Sequence, residues 1–497
     1  MEDLDLFINT LNDYVNEAPV FPNPLNYHCG QKLLAEKCLV AQKDLECAFH
    51  LSESISAFVR TMAVYREEQV ELAADRHLKI TAYVKPVKDL IGNVSVSNTE
   101  ETLLDTLAEE LDEVADVLKP FEVEKQLPLY KTYMRFSSEN NIDNFQKILR
   151  ELPKEWTIIQ ITAPYNPNEN LKLFNEYKQE MPSIYLSLFT NDYLDDCGLS
   201  PVTLNIPANV HKEGEKPLFE ELYSLLDENY SIIDNAHLLN NKRLLKKYWD
   251  RRDEVDLRLK SVVNVMDKEW LGGYGSLLTG KLVDTSLKEK VKKVVNDAIK
   301  DWGFFKLTQR QIFLLYNLIE SSPVLSGQQV RSTIRRILTE HGNADDVREA
   351  LGDGCQNCNK NFTSLNELCF ECLSKCFAKI HHFSVADGIK AFFQAATLVK
   401  DNEIWDLKNA KRHPVVLIVD ELLDTFPWET LPLLNQHPVC RMENIHFLYY
   451  LYKVHENNVI DGYFNAQSKT GRYVINPGIF FSDICCIGSR CALDVGP

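Results

Sequence analysis

The feature that most constrains the fold is an almost wholly apolar run, Val415–Val419, which directly follows His413-Pro414. Such a run is typical of a strand that is buried on both faces, as in a parallel sheet covered by helices. Downstream, the sequence predicts a helix over residues 445–454 and a further short strand at Arg472–Ile475. The order strand, helix, strand indicates the beginning of an α/β fold.

Three short β-rich runs lie far upstream of that segment. They are Trp156–Ile161, Ile184–Phe189 and Val202–Leu204, and each is bounded by proline. Their length, their β-branched content and the prolines that flank them are typical of strands. A long amphipathic helix is predicted over residues 255–270, and Gly272-Gly273 closes it. We therefore expect an α/β unit over residues 151–280.

The first 150 residues are predicted to be helical. Apolar residues recur there at spacings of three and four, which gives the one-sided stripe of an amphipathic helix. One stripe consists of Leu34, Cys38, Ala41, Leu45 and Ala48. A second stripe, ended by Pro120, consists of Leu104, Leu107, Leu111, Val114 and Leu118. Residues 286–410 are predicted to return to helices, interrupted by a cysteine cluster.

The charge balance bears on the partners that the chain can bind. Acidic residues outnumber basic ones by 72 to 54, for a formal net charge of −18. A field of that sign repels phosphate backbones, so direct binding of nucleic acid is not expected. No run of about 20 apolar residues is present, so we expect no membrane span. The acidic N-terminus differs from the basic start of a secretory signal.

The cysteines allow two interpretations. Thirteen cysteines in a chain without an expected export signal indicate buried thiols, metal ligands or nucleophiles and argue against disulfides. Four of them form two Cys-x-x-Cys pairs, namely Cys355, Cys358, Cys369 and Cys372. Their paired spacing is typical of a four-thiolate zinc site. The alternative is a set of reduced, buried thiols on helices, and both interpretations stay open.

Several motifs in a fixed order resemble one protease family, the separases. The apolar run at Val415–Val419 and the residues after it resemble the start of the separase protease domain. The matching residues of this structural motif are Pro427, Trp428, Glu429 and Arg441. The segment that ends in Asn476 and Pro477 is similar to that domain's next strand and its following Asn-Pro.

The resemblance extends upstream to a second, pseudo-protease domain of the family. Leu152–Thr157 resembles its opening, and the segment from Trp249 to Trp270-Leu271-Gly272 resembles the long helix inserted in it. The implied fold is a caspase-like α/β C-terminal half, made of a pseudo-protease domain and an incomplete protease domain, preceded by an α-helical N-terminal region. In this interpretation each of the strands near Trp156 and Val415 begins a caspase-type sheet.

The resemblance also implies a division of the chain. Residues 1–150 would be a helical, substrate-binding-like region, and 151–285 the pseudo-protease α/β domain with its long inserted helix. Residues 286–410 would be a helical segment with the Cys-x-x-Cys pairs, and 411–477 the start of the protease domain. The tail, 478–497, matches nothing in the family pattern.

The activity implied by the resemblance is that of a cysteine endopeptidase. Such an enzyme cleaves the kleisin subunit of cohesin after an arginine, in the nucleus and cytoplasm at chromosomes or the spindle during mitosis, and releases sister chromatids. Securin would bind it as an inhibitor and pseudosubstrate. The chain resembles the short separases of insects, in which a separate subunit supplies the helical arm. No cofactor is required for this chemistry.

The catalytic residues of the family are not found in the sequence. Caspase-like hydrolysis uses a cysteine thiolate and a histidine, which in separases lie in His-Gly-x-Gly and Gly-Cys-Ser-Ser turns. The only His-Gly pair is His341-Gly342, followed by Asn343-Ala344, and no cysteine precedes Ser-Ser. We therefore expect this chain to stop before the catalytic pair and to be inactive alone. The alternatives are a non-catalytic isoform that binds securin, kleisin or a helical partner, and a zinc-organised module unrelated to proteolysis.

Overall fold

The structure is a computed structural model that describes most, but not all, of the chain. The described residues are 2–16, 23–41, 43–66, 69, 136, 141–166, 181–189, 201–208, 216–235, 241–302, 307–339, 368–372, 385–435 and 437–465. The helix predicted over residues 104–118, the strand predicted at 472–475 and the tail 478–497 lie outside them. Among the described helices, none has the length and apolar character to cross a bilayer.

In the described part of the chain, four helices precede the first strand. They are α1 (Glu2–Asn16), α2 (Pro24–Val40), α3 (44–66) and α4 (Ile142–Glu151). The stripe predicted as one helix over residues 34–48 is divided between two helices, which corrects that expectation. The backbone N–H of Ala41 donates to Lys37 and ends α2, and the chain turns before α3. Leu34 therefore packs beside α1, whereas Ala48 packs under the sheet.

A mixed five-stranded sheet forms the centre of the molecule. Its strands are β1 (Thr157–Thr162), β2 (Ser183–Phe189), β3 (Val202–Pro207), β4 (Val415–Val419) and β5 (Val439–Met442). The spatial order is β3-β2-β1-β4-β5, with β1, β4 and β5 parallel and with β2 antiparallel to both of its neighbours. The four strands predicted in the two segments are confirmed, and β5 was not predicted.

The strands near Trp156 and Val415 share one sheet, which corrects the expectation of a separate sheet for each. β1 and β4 are adjacent and parallel, with Ile159 opposite Leu417. The physical reason is burial, because β1 and β4 are buried on both faces and each covers the hydrogen-bonding edge of the other. The division of the chain into the units 151–285 and 411–477 stays a prediction.

Helices cover both faces of the sheet. The first face carries Ile159, Ile161 and Leu417 and packs against α5 (Leu218–Asp234), α7 (Thr285–Trp302), α8 (Gln309–Glu320), α9 (Gly327–Leu338) and α10 (Val385–Asn409). The second face carries Ile158 and Ile418 and packs against α3, α4 and α11 (Ile445–His455). Because side chains alternate along a strand, β1, β2 and β4 contribute to both cores.

The long helix α6 (Lys242–Val265) lies against α5 and ends as predicted near the two glycines. It continues as a π-helical turn, Met266–Leu271, and stops at Gly272, whose φ of 55° favours glycine. A side chain on the neighbouring Gly273 would meet Thr333 Oγ1 at 2.4 Å. Residues 151–280 contain both strands and helices, as predicted, although β1 also pairs with β4 from outside this segment.

A small hairpin, β6 (Val459–Ile460) and β7 (Tyr463–Phe464), follows α11. Its turn is Asp461-Gly462, with φ of 51° and 79°, the positive values that a two-residue hairpin turn of this kind needs. The Trp156 indole N–H donates to Gly462 O at 2.7 Å and fixes the hairpin beside the start of β1. The hairpin was not predicted, although the Asp-Gly pair is a recognised sequence signal for such a turn.

Candidate functional site

The candidate site is the loop that follows β4 at the carboxyl ends of the parallel strands. Ligand and catalytic sites of open α/β sheets lie at such ends. The loop runs from Asp420 to Leu431 and contains the short 3₁₀ turn Trp428–Thr430. Three of the four described motif residues, Pro427, Trp428 and Glu429, lie in this loop, and Arg441 lies next to it on β5.

Arg441 holds the loop through its whole guanidinium group. Its Nε and Nη2 donate to the two carboxylate oxygens of Glu429 at 2.5 and 2.8 Å. Nη1 contacts the Asp424 carboxylate at 2.6 Å, and Nη2 donates to Phe426 O at 2.9 Å. Forked, charge-assisted bonds of this type combine strength with a defined geometry. Arg441 lowers the pKa of the Glu429 carboxyl, which keeps the pair ionised.

Trp428 anchors the loop in the core of the first face. Its side chain is fully buried, and its indole N–H donates to Leu423 O at 3.0 Å. The ring packs against Phe426 with centroids 4.7 Å apart and the planes tilted by 59°. A buried tryptophan removes about 150–250 Å² from water. The loop is therefore fixed by apolar burial on one side and by Arg441 on the other.

Asp420 connects the end of β4 to the N-terminal helices. Its Oδ2 accepts from the backbone N–H of Ala163, just past β1, at 3.1 Å. The ammonium of Lys32 on α2 lies 2.9 Å from the same oxygen, and both side chains are buried. Burial alone would raise the pKa of Asp420, but the nearby Lys32 and His28 outweigh it and hold the pKa below its usual range.

A second buried ionic cluster lies between α3 and α11. Glu53 accepts hydrogen bonds from Tyr27 at 2.7 Å, from Arg60 at 2.5 Å and from His446 Nε2 at 2.6 Å. Burial alone would raise the pKa of Glu53, but Arg60 and His446 hold it well below its usual range. Burial and the charge of Arg60 lower the pKa of His446. A neutral His446 thus donates to a Glu53 carboxylate that Arg60 neutralises. We name Glu53, Tyr27, Arg60 and His446 the Glu53 cluster.

The second face also buries His50 on α3. Its Nδ1 lies 2.7 Å from Gln31 Oε1 of α2, so Nδ1 carries the proton of the neutral ring. Among the described residues, Nε2 is buried without a hydrogen-bond partner, so a proton there would meet no described acceptor. Burial accordingly lowers the pKa of His50 to about 4. Apart from the pair of Arg60 and Glu53 within α3, these buried polar contacts join residues of different segments, so the sequence carried no signal for them.

The cysteines of the described chain do not form a metal centre with the groups around them. Within the described residues, no group of three or more His, Cys, Asp or Glu side chains is placed to hold a metal ion. Cys369 is exposed and Cys372 buried, and the backbone N–H of Cys372 lies 3.4 Å from Cys369 Sγ. Cys355 and Cys358 lie outside the described residues, as do Asn476 and Pro477. Zinc binding by the four cysteines stays a prediction.

Two buried thiols are poor candidates for a nucleophile. Burial raises the pKa of Cys38 to about 12 and that of Cys47 well above its usual value. Both thiols therefore stay protonated at neutral pH, and the thiolate is the reactive form. The geometry of the described site is that of a rigid platform, a loop and an adjacent strand held in a fixed arrangement at the carboxyl edge of the sheet.

Comparison with known proteins places this platform in a family. The family model described as "Separin, protease domain" matches residues 196–480, more than half of the chain and the part that contains β3, β4, β5 and the loop. The chain is 21% identical to the separin of Schizosaccharomyces pombe over 352 residues, 68% of this chain and 16% of that protein. It is 21% identical to the separin of Emericella nidulans over 296 residues, 56% of this chain and 13% of that protein.

Two crystal structures of the Saccharomyces cerevisiae separase–securin complex are also similar. One gives a TM-score of 0.40 at 11% identity and covers 91% of this chain and 36% of that chain. The other gives 0.39 at 15% identity and covers 87% and 25%. This chain spans about a sixth or less of the length of the two curated relatives. Because the protease-domain model covers more than half of its residues, the chain belongs to the separin family of cysteine proteases, the separases.

Proposed function

We propose that this chain is part of a separase that cleaves the kleisin subunit of cohesin after an arginine, and that securin binds it as a pseudosubstrate. The observation that carries the proposal is the protease-domain match over residues 196–480. The loop held by Arg441 and Trp428 lies inside that match, at the edge of the sheet where α/β enzymes bind their substrates. We propose that the enzyme acts in the cytoplasm and nucleus, at chromosomes or the spindle during mitosis.

We further propose that the chain with this sequence does not cleave kleisin by itself. Peptide hydrolysis of the caspase type needs a thiolate and a histidine within hydrogen-bond reach of each other. The sequence contains neither a His-Gly-x-Gly nor a Gly-Cys-Ser-Ser motif. This favours, as the second candidate function, a non-catalytic isoform that binds securin, kleisin or a helical-arm subunit through the same platform and competes with the active enzyme.

A paired cleavage and binding assay tests both proposals. The purified chain is incubated with a kleisin fragment and, separately, titrated with securin from the same organism. We expect no cleavage and a stable securin complex. Cleavage that a thiol alkylator blocks would contradict the proposed inactivity, while absence of both securin and kleisin binding would contradict the proposed function as a whole.

A further inference from the structure

An open groove lies between α9 and α10, two neighbouring helices of the layer that covers the first face of the sheet. Its volume is about 480 Å³, within the range of roughly 300–1,000 Å³ that is usual for ligand pockets. None of the described residues that line it belongs to the loop Asp420–Leu431, so the groove is separate from the candidate site. The side chains that line this α9–α10 groove are Gln328, Arg331, Ser332 and Arg335 of α9 and Ile389 and Phe393 of α10.

The two sides of the groove differ in character. On α9, positions 328, 331, 332 and 335 are three or four residues apart, so they lie on one face of the helix. Arg331 and Arg335 are exposed on that face, and the helix contains a third arginine but no acidic residue. On α10, Ile389 and Phe393 are partly buried and pack against the core of the first face. The α9 side of the groove is therefore cationic, and the α10 side is apolar.

The two arginines of the groove lack the carboxylate partners that other arginines of the molecule have. Arg258, Arg412 and Arg441 each contact a carboxylate at 2.6 Å. Within the described part of the chain no carboxylate pairs with Arg331 or Arg335, although the sequence has 72 acidic residues. The helix dipole accounts for Arg335, which lies in the last turn of α9, but not for Arg331, which lies in its first half. The charge of the groove is therefore not compensated by any described carboxylate.

Arg331 is also held in place before any ligand binds. Its guanidinium lies over the Phe393 ring, 4.0 Å from the ring centroid. A stacked arginine has already lost part of its rotamer freedom, so less freedom is lost when its N–H groups bind a carboxylate. No hydrogen bond joins this guanidinium to another described residue, which leaves its N–H groups available to a ligand.

We propose that the α9–α10 groove binds an acidic peptide segment of a partner protein in an extended conformation. Arg331 and Arg335 are one helical turn apart, a rise of ~6 Å. In an extended peptide, side chains two residues apart point to the same side and lie about 6.6 Å apart, so two carboxylates at that spacing match the two arginines. The side chain between them points to the other side, where Ile389 and Phe393 favour an apolar group. Nucleic acid would complement the cations alone, and the field of this acidic chain repels it.

The probe is a fluorescent peptide in which glutamate and leucine alternate over five residues, flanked by serine and glycine. Fluorescence anisotropy with the full chain compares it with the same peptide carrying glutamine in place of glutamate, and with a single-stranded oligonucleotide. We expect the acidic peptide to bind at least about tenfold more tightly than either, a difference of ~1.4 kcal/mol. Equal binding of the glutamine peptide or of the oligonucleotide, or no binding of the acidic peptide, would overturn the proposal.

Charge removal locates the site. The double variant Arg331→Gln and Arg335→Gln should weaken binding of the acidic peptide by about tenfold or more, since both charge-assisted contacts are lost. Glutamine is a good helix former, so α9 should stay intact. The matched control is Arg243→Gln and Lys247→Gln, an exposed basic pair with the same spacing on α6, and it should bind like the wild type. Equal loss in the two double variants would contradict the assignment to the α9–α10 groove.

A second variant tests the stacked guanidinium and does not change the net charge. Arg331→Lys keeps the positive charge but has neither the planar stack on Phe393 nor the forked donors. It should weaken binding of the acidic peptide by about threefold or more. Circular dichroism with unchanged helical content shows that the variant is folded. A folded Arg331→Lys protein with unaltered affinity would contradict the proposed role of the pre-positioned arginine.

Discussion

The two faces of the central sheet are stabilised in different ways. The first face is a continuous apolar core in which Ile159, Leu417 and Trp428 meet the helices α5 and α7 to α10. The second face buries charges and polar groups beside its apolar residues, among them Asp420 just after β4, Lys32 and the Glu53 cluster. Specific polar contacts thus attach the helices of the N-terminal region to the end of β4 and to α11, in addition to their apolar packing on the sheet.

This difference explains what the sequence could and could not predict. Strands such as Val415–Val419 and the helix at Ile445–His455 follow from local hydrophobic patterns, which is the strongest signal in a single sequence. The pair of Glu53 and His446 joins residues 393 positions apart, and no local pattern reports such a contact. β5 was missed for the same reason, since its four residues, which include the charged Arg441, acquire their strand character from pairing with β4.

The candidate site likewise has features that follow from local sequence and features that depend on tertiary contacts. Trp428 and Glu429 follow a buried strand and precede a helix, so their place in a loop at the sheet edge was predictable. The fork between Arg441 and that loop depends on β5 lying beside β4, which tertiary structure alone supplies. The site residues Asn476, Pro477, Cys355 and Cys358 lie outside the described residues, so their roles stay predictions.

The largest effect is expected on the first face. Trp428→Ala removes a fully buried ring and should lower the free energy of unfolding by about 3–5 kcal/mol, through lost burial and the cavity left behind. Urea denaturation measures the change. Trp405→Ala is the control, because that side chain is 79% exposed and its loss should cost less than about 0.5 kcal/mol. Similar losses in the two variants would mean that the loop is not anchored in the core.

An effect of intermediate size is expected on the second face and depends on pH. The pKa of His50 is lowered to about 4 by burial, while the unfolded chain keeps the ordinary 6.5. The unfolded state therefore binds the proton first, and stability falls as the pH drops from 6.5 towards 4. Between pH 7 and pH 5 this histidine should cost about 2 kcal/mol of unfolding free energy.

Replacement of His50 isolates that contribution. Between pH 7 and pH 5, the free energy of unfolding of His50→Gln should fall by about 2 kcal/mol less than that of the wild type. Urea denaturation at both pH values measures this difference. His455→Gln, at an exposed position, should keep the wild-type pH dependence. An unchanged pH dependence in His50→Gln would show that His50 titrates normally in the folded protein.

A smaller effect is expected where the first face meets solvent. Arg441→Lys keeps the charge but cannot form the fork to Glu429, so we expect a loss of about 1–2 kcal/mol. Amides of residues 421–431 should also exchange with deuterium faster, which mass spectrometry detects. Arg335→Lys, at an exposed position of α9, should alter neither quantity. Unaltered exchange in Arg441→Lys would mean that Trp428 alone orders the loop.

The attachment of the N-terminal helices to α11 is tested most directly by a double-mutant cycle. Glu53→Gln, His446→Gln and the double variant are compared by urea denaturation at pH 7. We predict a coupling of about 1–3 kcal/mol, since the pair is buried and joined at 2.6 Å. The exposed pair of Lys260 and Asp256 should give less than about 0.5 kcal/mol. A coupling near zero between Glu53 and His446 would contradict an attachment through specific polar contacts.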